Sequence, residues 1–299
     1  MREAPYILRT AALAAVFVAL SACEQGGEPA QEESSSLAQP SSSGTVDVGG
    51  YRLSYECRGE GSPVVILEAG LDSDGTSTWG GFMPLLEDAG TRVCAYDRAG
   101  TGTSDARPKD AGTPTAALQA EELHSLLEGG RIEPPYVLVP HSYGGLVTRV
   151  FADRYRDEVV GFVFEDVSTA WEIDLWPKWD DSAWIDGGQK VDIQATEEQV
   201  LEAAALGDLP SIVLSQASYD EEGIPRWAAP IFARQQARLA ELGDNLIHLR
   251  ADGTGHFIHD ERPRLVVAAV EAVVTAVRND EPLPRCPALF EESLGTCLS

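Results

Sequence analysis

Past residue 45, short apolar segments alternate with longer segments whose apolar positions recur at helical spacing. Residues 63–68 read PVVILE and residues 136–140 read YVLVP, so both are apolar at nearly every position. Continuous runs of this kind predict strands that are buried on both faces. The pattern predicts strands at 51–57, 63–68, 91–96, 136–140, 159–165, 211–214 and 246–250, and helices at 114–129, 143–155, 226–242 and 263–278. This alternation predicts an α/β fold with a mostly parallel central sheet flanked by helices.

The segment 168–209 interrupts the alternation. It lies between two predicted strands and is too long for a simple connection. Four of the six tryptophans fall within it, namely Trp171, Trp176, Trp179 and Trp184. We therefore predict an inserted lid. Its aromatic side chains form a small core of their own or line an apolar substrate pocket, and these two interpretations are compatible.

The first 22 residues have the features of an export signal. Residues 11–20 form an unbroken apolar run that is too short to span a bilayer but fits the core of a secretory signal peptide. The run ends in LSAC at 20–23, which resembles the lipobox of bacterial lipoproteins. That resemblance implies that Cys23 becomes the lipidated first residue of the mature chain and anchors it in the cell envelope. The alternative is an ordinary signal peptide, cut after Ala22, that leaves Cys23 unmodified.

The segment that follows is polar. Residues 24–45 are rich in Ser, Glu, Gln, Gly and Pro, with Leu37 as their one large apolar side chain. Such a composition cannot bury a core and predicts a flexible tether. The expected organisation is a signal peptide at 1–22, a tether at 23–45, a folded domain at 46–280 that carries the lid at 168–209, and a tail at 281–299.

The charge balance removes several classes of partner. The chain has 22 Lys and Arg against 48 Asp and Glu, and its formal net charge is −26. Nucleic-acid binding depends on basic side chains that neutralise phosphates, so we expect no nucleic-acid partner. Anionic polymers are disfavoured as substrates for the same reason. No His and Cys residues have the spacing of a zinc site, and no segment has the pattern of a nucleotide-binding loop, so we expect neither a metal nor a cofactor.

The sharpest chemical signal is PHSYGG at 140–145, which follows one predicted strand and begins a helix. This is the strand–turn–helix setting of a nucleophile elbow, G-x-S-x-G, with Pro140 in place of the first glycine. The turn is so sharp that the residues two positions from the serine must be compact. The helix N-terminus that follows directs N–H groups towards developing negative charge. Ser142 is therefore the candidate nucleophile.

A serine nucleophile needs a base, because its hydroxyl is not ionised near neutral pH. His256 lies in the loop GTGHF at 253–257, directly after the last predicted strand. Catalytic groups gather at the carboxyl edge of a parallel sheet, so we predict that His256 is the base. The remaining histidines are assigned structural positions: His124 on a helix surface, His141 pointing into the protein, His248 within a strand and His259 as a local hydrogen-bonding group.

The third member of such a triad is an acid that orients the imidazole, in the chain order Ser, acid, His. Two aspartates qualify. Asp166 follows the strand at 159–165, and Asp220 follows the strand at 211–214. Either loop is able to reach His256.

Four segments together resemble the α/β-hydrolase fold family, of the serine esterase and lipase type, over about residues 45–280. They are EAGL at 68–71, YDRAGTGTSD at 96–105, PHSYGG at 140–145 and GTGH at 253–256. The first departs from the family's His-Gly pair by having Ala69-Gly70, which leaves the backbone donors in place.

The resemblance implies roles for particular residues. The N–H groups of Tyr143 and Leu71 would form the oxyanion hole. In many members the acid follows the seventh strand, which points to Asp220, and in a subset it follows the sixth, which points to Asp166. The segment around Asp220 lacks the usual Gly-x-x-Asp form, so we favour Asp166.

The resemblance also suggests how the cysteines pair. In this fold the second and fourth strands are neighbours, and Cys57 and Cys94 fall on them. A bridge between these two would leave Cys286 and Cys297 to close a small loop after the last helix. Export to an oxidising compartment favours both bridges.

The sequence thus predicts an exported, lipid-anchored serine hydrolase that cleaves small carboxylic esters with an apolar acyl or aromatic part. The same triad would also suit amide, lactone or thioester cleavage, and the fold also supports peroxidase or lyase chemistry. A non-catalytic binding lipoprotein is the remaining alternative. Epoxide hydrolases and haloalkane dehalogenases are disfavoured, because their nucleophile is an aspartate where this chain has Ser142.

Overall fold

The apolar runs form the central strands of a nine-stranded sheet in the computed structural model, which describes residues 42–171, 184–219, 227–284, 290 and 295–298. The described strands are β1 (Ser42–Asp47), β2 (Arg52–Arg58), β3 (Val64–Glu68), β4 (Val93–Tyr96), β5 (Tyr136–Pro140), β6 (Val159–Glu165), β7 (Ile185–Asp186), β8 (Gln189–Lys190), β9 (Ser211–Gln216), β10 (Leu246–Ala251) and β11 (Gly295–Cys297). Two of these strands, β7 and β8, form a separate hairpin. The helices are α1 (Gly75–Trp79), α2 (Met83–Asp88), α3 (Ala116–Gly129), α4 (Gly144–Arg154), α5 (Ile193–Glu202), α6 (Ala229–Leu239), α7 (Ile258–Glu261) and α8 (Pro263–Asn279).

The strand order in the sheet is β1-β2-β4-β3-β5-β6-β9-β10-β11. The six strands from β4 to β10 run parallel, and antiparallel strands close the two edges. The predicted α/β fold with a mostly parallel sheet is therefore confirmed. Sequence reasoning did not find the edge strands β1 and β11, because they are partly exposed and lack the continuous apolar run of a central strand.

The continuous apolar runs follow from burial on both faces of the sheet. In β3, Val65 and Leu67 belong to the core that includes α8, whereas Val64 and Ile66 belong to the core that includes α3 and α4. All four side chains are buried. Full burial of a large aliphatic side chain stabilises a protein by roughly 1.5–3 kcal/mol, so both cores stabilise the sheet.

The described part of the predicted lid contains the β7–β8 hairpin and α5. Trp184 is buried in a small core with Tyr143, Leu146, Val147 and Val191, which joins the insertion to α4. Trp176 and Trp179 lie outside the described residues. The described tryptophan Trp184 thus packs in a small core that the insertion shares with the start of α4.

Cys57 and Cys94 face each other across β2 and β4 and form the disulfide that the fold resemblance implied. Cys297 in β11 is also disulfide-bonded. Its expected partner Cys286, the lipobox Cys23 and the signal peptide lie outside the described residues. Among the described helices, none combines the length and the apolar character that crossing a bilayer requires.

Candidate active site

Ser142 lies at the sharp turn between β5 and α4. Its φ is 51°, in the left-handed region that a residue with a side chain rarely adopts. The turn is closed by the N–H of Gly144 on the carbonyl of His141 (2.9 Å) and by the N–H of Gly145 on the carbonyl of Ser142 (3.0 Å). Strain of this kind clusters at functional sites, where the surrounding structure maintains it.

The two glycines after Ser142 are required by close contacts. A Cβ on Gly144 would lie 2.7 Å from the Glu68 side chain, and a Cβ on Gly145 would lie 2.5 Å from the Val167 side chain. Both distances are shorter than any ordinary contact, so larger residues would push α4 away from β3 and from the end of β6. The glycine pattern of the motif thus keeps the start of α4 against these strand ends.

His256 and Asp166 form a hydrogen-bonded pair. The Nδ1 atom of His256 lies 2.6 Å from Oδ2 of Asp166. Asp166 follows β6 and is buried, and its other oxygen accepts from the N–H of Gln216 (3.1 Å) and the hydroxyl of Tyr219 (3.3 Å). The His256 side chain is 30% exposed. Asp220, the alternative acid, lies outside the described residues.

Backbone contacts hold Ser142 beside this pair. The N–H of Ser142 donates to the carbonyl of Glu165 (3.3 Å), the residue before Asp166, and the N–H of Ser168 donates to the carbonyl of Ser142 (2.9 Å). On the other side of Ser142, the Nε2 atom of His141 donates to the carbonyl of His256 (3.0 Å). The three predicted catalytic residues therefore cluster at the carboxyl ends of β5, β6 and β10.

The segment after β3 runs alongside the elbow. A Cβ on Gly70 would lie 3.4 Å from the Cβ of Ser142, so the backbone approaches the serine closely. Within the part of the chain that the structure describes, the N–H groups of Leu71 and Tyr143 donate to no protein acceptor. These are the two donors that the family resemblance assigned to an oxyanion hole.

The turn at 96–105 holds the segment after β3 in place through hydrogen bonds. The Asp97 carboxylate accepts from the N–H of Thr76 (2.8 Å) and from the N–H of Thr103 (2.9 Å), which fixes the turn. The same turn carries the buried Arg98 side chain, which donates to the carbonyls of Ala69 (2.8 Å) and Gly70. Sequence reasoning included Arg98 in a motif but assigned it no role.

The other buried histidines differ from His256 in their surroundings. Burial and the neighbouring His256 and His259 hold the pKa of His141 well below its usual value, so this ring is neutral. Burial alone lowers the pKa of His248 to about 4, and its Nε2 lies 2.9 Å from the Ser215 hydroxyl. Their burial agrees with the structural positions that the sequence predicted for them.

Two small cavities adjoin the site. One, of about 60 Å³, is lined by His256, Asp166 and Tyr219 among others. The second, of about 100 Å³, shares Val167 and Ser168 with the first and is mostly apolar. Its remaining lining residues include Trp171, Val200, Leu239 and Leu242. A larger cavity of about 570 Å³ lies at the amino ends of β6, β9 and β10, away from Ser142.

Comparison with known proteins shows what this chain is similar to. Residues 62–193 match the sequence profile of the alpha/beta hydrolase fold. The chain is 25% identical over 240 residues to the uncharacterized protein YqjL of Bacillus subtilis, covering 76% of this chain and 88% of that protein. The chain has the α/β-hydrolase fold.

Proteins similar to this chain differ in their reactions. A haloalkane dehalogenase of Mycolicibacterium smegmatis is 32% identical over 183 residues, covering 58% of this chain and 55% of the dehalogenase. Epoxide hydrolase A of Mycobacterium thermoresistibile has a similar structure, with a TM-score of 0.59 at 19% identity, covering 78% of this chain and all of that one. Several further relatives are matched over only 14% to 31% of their own length. The family supports a hydrolase that binds a small molecule, and the fold alone does not fix the bond it cleaves.

Proposed function

We propose that the protein is an exported, lipid-anchored serine hydrolase that cleaves carboxylic esters through Ser142, His256 and Asp166. The observation that carries the proposal is the pair of His256 and Asp166, 2.6 Å apart, beside a serine with a φ of 51° at the elbow. A serine, an imidazole and a buried carboxylate in this arrangement are the components of covalent acyl transfer.

Each group has one task in the reaction. The Ser142 hydroxyl attacks the ester carbonyl while His256 removes its proton, and His256 then gives that proton to the leaving alcohol. Asp166 accepts from Nδ1 of His256, so the second ring nitrogen, Nε2, is the one that exchanges protons with the substrate. Water attacks the acyl-enzyme with the same base and releases the acid. The N–H groups of Leu71 and Tyr143 stabilise the negative oxygen of each tetrahedral intermediate, and one such donor is typically worth about 3 kcal/mol.

The nucleophile argues against the chemistry of the dehalogenase and the epoxide hydrolase. An aspartate that displaces a halide or opens an epoxide forms an alkyl ester, which water can hydrolyse. Ser142 in the same position would form an ether, which has no comparable route to hydrolysis. A serine nucleophile therefore favours an acyl carbon over an alkyl carbon as its target.

The surroundings of the site favour a small substrate with an apolar part. The 100 Å³ cavity beside Ser168 is walled mainly by aliphatic side chains and Trp171.

Covalent labelling tests the proposal most directly. A fluorophosphonate probe is expected to label the wild-type protein and to leave Ser142→Ala unlabelled, because the probe reacts with an activated serine. The control is Ser43→Ala, which removes an exposed hydroxyl on β1 and should label like the wild type. A wild-type protein that does not label, or a Ser142→Ala variant that labels equally, would contradict the serine hydrolase and favour a binding lipoprotein.

A substrate panel then identifies the bond. Nitrophenyl esters of increasing acyl length should give a maximum at short or medium chains, since the adjoining cavities are small. Matched amides, thioesters and lactones should be cleaved more slowly. Faster cleavage of any of these, or halogenation with peroxide and no ester cleavage, would replace the ester assignment.

Lipid anchoring is tested separately. Cys23→Ser should abolish incorporation of labelled fatty acid and move the protein from the membrane fraction to the soluble one. Ser36→Ala, a change in the predicted tether, should alter neither result. Fatty-acid incorporation that persists in Cys23→Ser would refute lipidation at this residue.

A further inference from the structure

One carboxylate from the insertion reaches both sides of the candidate oxyanion hole. We propose that Asp186, in β7, is a positioning residue that orients the N–H groups of Leu71 and Tyr143. The inference rests on the proposed hydrolase function. It gives the insertion a part in catalysis that is separate from covering the substrate.

The first connection runs to the Leu71 side. The N–H of Asp72 donates to Oδ1 of Asp186 (2.8 Å), and the N–H of Gly187 donates back to Oδ1 of Asp72 (3.1 Å). This reciprocal pair ties the β7–β8 turn to the residue directly after Leu71. Asp72 itself has a φ of 51°, so the backbone there is held in an unusual conformation.

The second connection passes through Arg98. Its Nε and Nη2 atoms donate to the two carboxylate oxygens of Asp186, at 2.9 and 2.7 Å. Its Nη1 and Nη2 atoms also donate to the carbonyls of Ala69 and Gly70. The Gly70 carbonyl and the Leu71 N–H belong to one planar trans peptide, in which they point in opposite directions. By holding the carbonyl, Arg98 directs the Leu71 N–H away from itself.

The third connection runs to the Tyr143 side. The amide nitrogen of Gln119 donates to Oδ2 of Asp186 (2.7 Å), and the Tyr143 hydroxyl donates to the Gln119 oxygen (2.6 Å). The Arg98 guanidinium also lies over the Tyr143 ring, 5.5 Å from its centre. Tyr143 is therefore held at its side chain as well as by the elbow.

The contacts between Asp186 and Arg98 depend on the negative charge of the aspartate. Asp186, Arg98 and Glu68 are all buried, so two carboxylates share one guanidinium. Burial raises the pKa of the Glu68 carboxyl. Burial acts the same way on Asp186, but Arg98 and the Asp72 N–H outweigh it and lower the pKa of Asp186 overall. Asp186 is thus the anionic partner of Arg98, with acceptor sites for four protein donor groups.

Asp186→Asn tests the inference. The variant keeps the size of the side chain, but one of its two oxygen acceptors becomes a donor that faces Arg98 and Gln119. We expect kcat for a nitrophenyl ester to fall about 10- to 100-fold with KM changed less than threefold, because an oxyanion donor acts in the transition state. Binding of a trifluoromethyl ketone, whose adduct carries the oxyanion, should weaken by a similar factor. The matched control is Asp192→Asn, which alters the N-cap of α5 in the same insertion and should keep wild-type kcat.

Amide hydrogen exchange gives a readout independent of turnover. The peptides that contain residues 69–73 and 143 should exchange faster in Asp186→Asn than in wild type or Asp192→Asn, at a temperature where all three are folded. Unchanged exchange in these peptides, a loss confined to KM, or wild-type ketone affinity would each overturn the positioning role. If the wild type neither labels with fluorophosphonate nor cleaves esters, the proposed function fails, and the exchange result alone decides the positioning role.

Discussion

Two histidine–carboxylate pairs lie side by side at the end of β6, and they differ mainly in exposure. His256 pairs with Asp166 at 2.6 Å, and His259 pairs with Glu165 at 2.7 Å. The His256 ring is 30% exposed next to Ser142, whereas the His259 ring is 1% exposed and packs on Trp79 with ring centres 4.4 Å apart. Nearly identical bonds thus serve different purposes, because only one of the rings can meet a substrate.

The buried pair acts on the exposed one through the backbone. Glu165 accepts from both the N–H and Nδ1 of His259, at 2.6 and 2.7 Å, and so clamps the start of α7 to the end of β6. The loop that carries His256 is only three residues upstream. We therefore expect the His256 pair to determine turnover and the His259 pair to determine the stability of the loop. Separate substitutions test the two expectations.

The largest expected effect is that of Asp166→Asn. The asparagine cannot hold His256 in the required tautomer or stabilise its charged form, so we expect kcat to fall about 10⁴-fold while the protein stays folded. Steady-state kinetics with a nitrophenyl ester measure the loss. Asp220→Asn is the control and should stay within a few-fold of wild type. Near-normal turnover in Asp166→Asn, with a large loss in Asp220→Asn, would transfer the role to Asp220.

Glu165→Met should lower stability strongly and kcat only slightly, the opposite of Asp166→Asn. It removes the carboxylate but keeps the side-chain volume, and it leaves the His259 donors buried without their acceptor. Breaking one side of a buried pair typically costs 3–5 kcal/mol, so we expect the free energy of unfolding to drop by roughly 3 kcal/mol. At a temperature where the variant is folded, kcat should fall by less than tenfold. Urea denaturation measures the stability, and a 10⁴-fold loss of kcat with normal stability would make this pair catalytic.

The sequence located the nucleophile and the base because both depend on short stretches of chain. The elbow around Ser142 needs compact residues within three positions, and the loop at His256 carries its own glycines. The acid was left between two aspartates, because the strand end that faces His256 is decided by the packing of β6, β9 and β10. Glu165 and Asp166 are neighbours in the chain, and nothing local tells which one reaches which histidine.

Asp186 shows where sequence reasoning had no signal. It precedes Gly187 and Gly188, so locally it resembles any residue entering a hairpin turn. Its partners Asp72, Arg98 and Gln119 come from three separate segments, and only the folded chain brings them together. Buried polar networks of this kind depend on tertiary contacts, which a single sequence does not reveal.

The pH dependence of stability provides a smaller test of the buried pair. Burial lowers the pKa of His259, but the hydrogen bond and the charge of Glu165 outweigh burial and raise it overall. A raised folded-state pKa contributes stability that is fully present below the unfolded value, about 6.5, and is lost as pH rises through the folded value. The stability difference between wild type and Glu165→Gln should therefore shrink between pH 6 and pH 9, by at most about 1.4 kcal/mol per pH unit.

Other histidines do not obscure that measurement. His141 and His248 have lowered pKa values in the folded chain, and both wild type and Glu165→Gln contain them, so their contribution cancels in the difference between the two proteins. In each protein separately, the two histidines reduce stability as the pH falls through about 6.5, because the unfolded chain gains protons there. A stability difference between wild type and Glu165→Gln that grows from pH 6 to pH 9 would contradict an ion pair between His259 and Glu165.

A third histidine–carboxylate pair, His124 with Glu158, should have the smallest effect on stability and turnover. The Nε2 atom of His124 lies 3.1 Å from Glu158, and the ring stacks on Tyr155 with centres 3.8 Å apart. This pair is closer to the surface than His259–Glu165, and it joins α3 to the residue that precedes β6. Ion pairs of this kind contribute about 0–1 kcal/mol, so His124→Gln should lower the free energy of unfolding by less than about 1 kcal/mol and leave kcat unchanged. A loss as large as that of Glu165→Met would show that exposure is not what separates the three pairs.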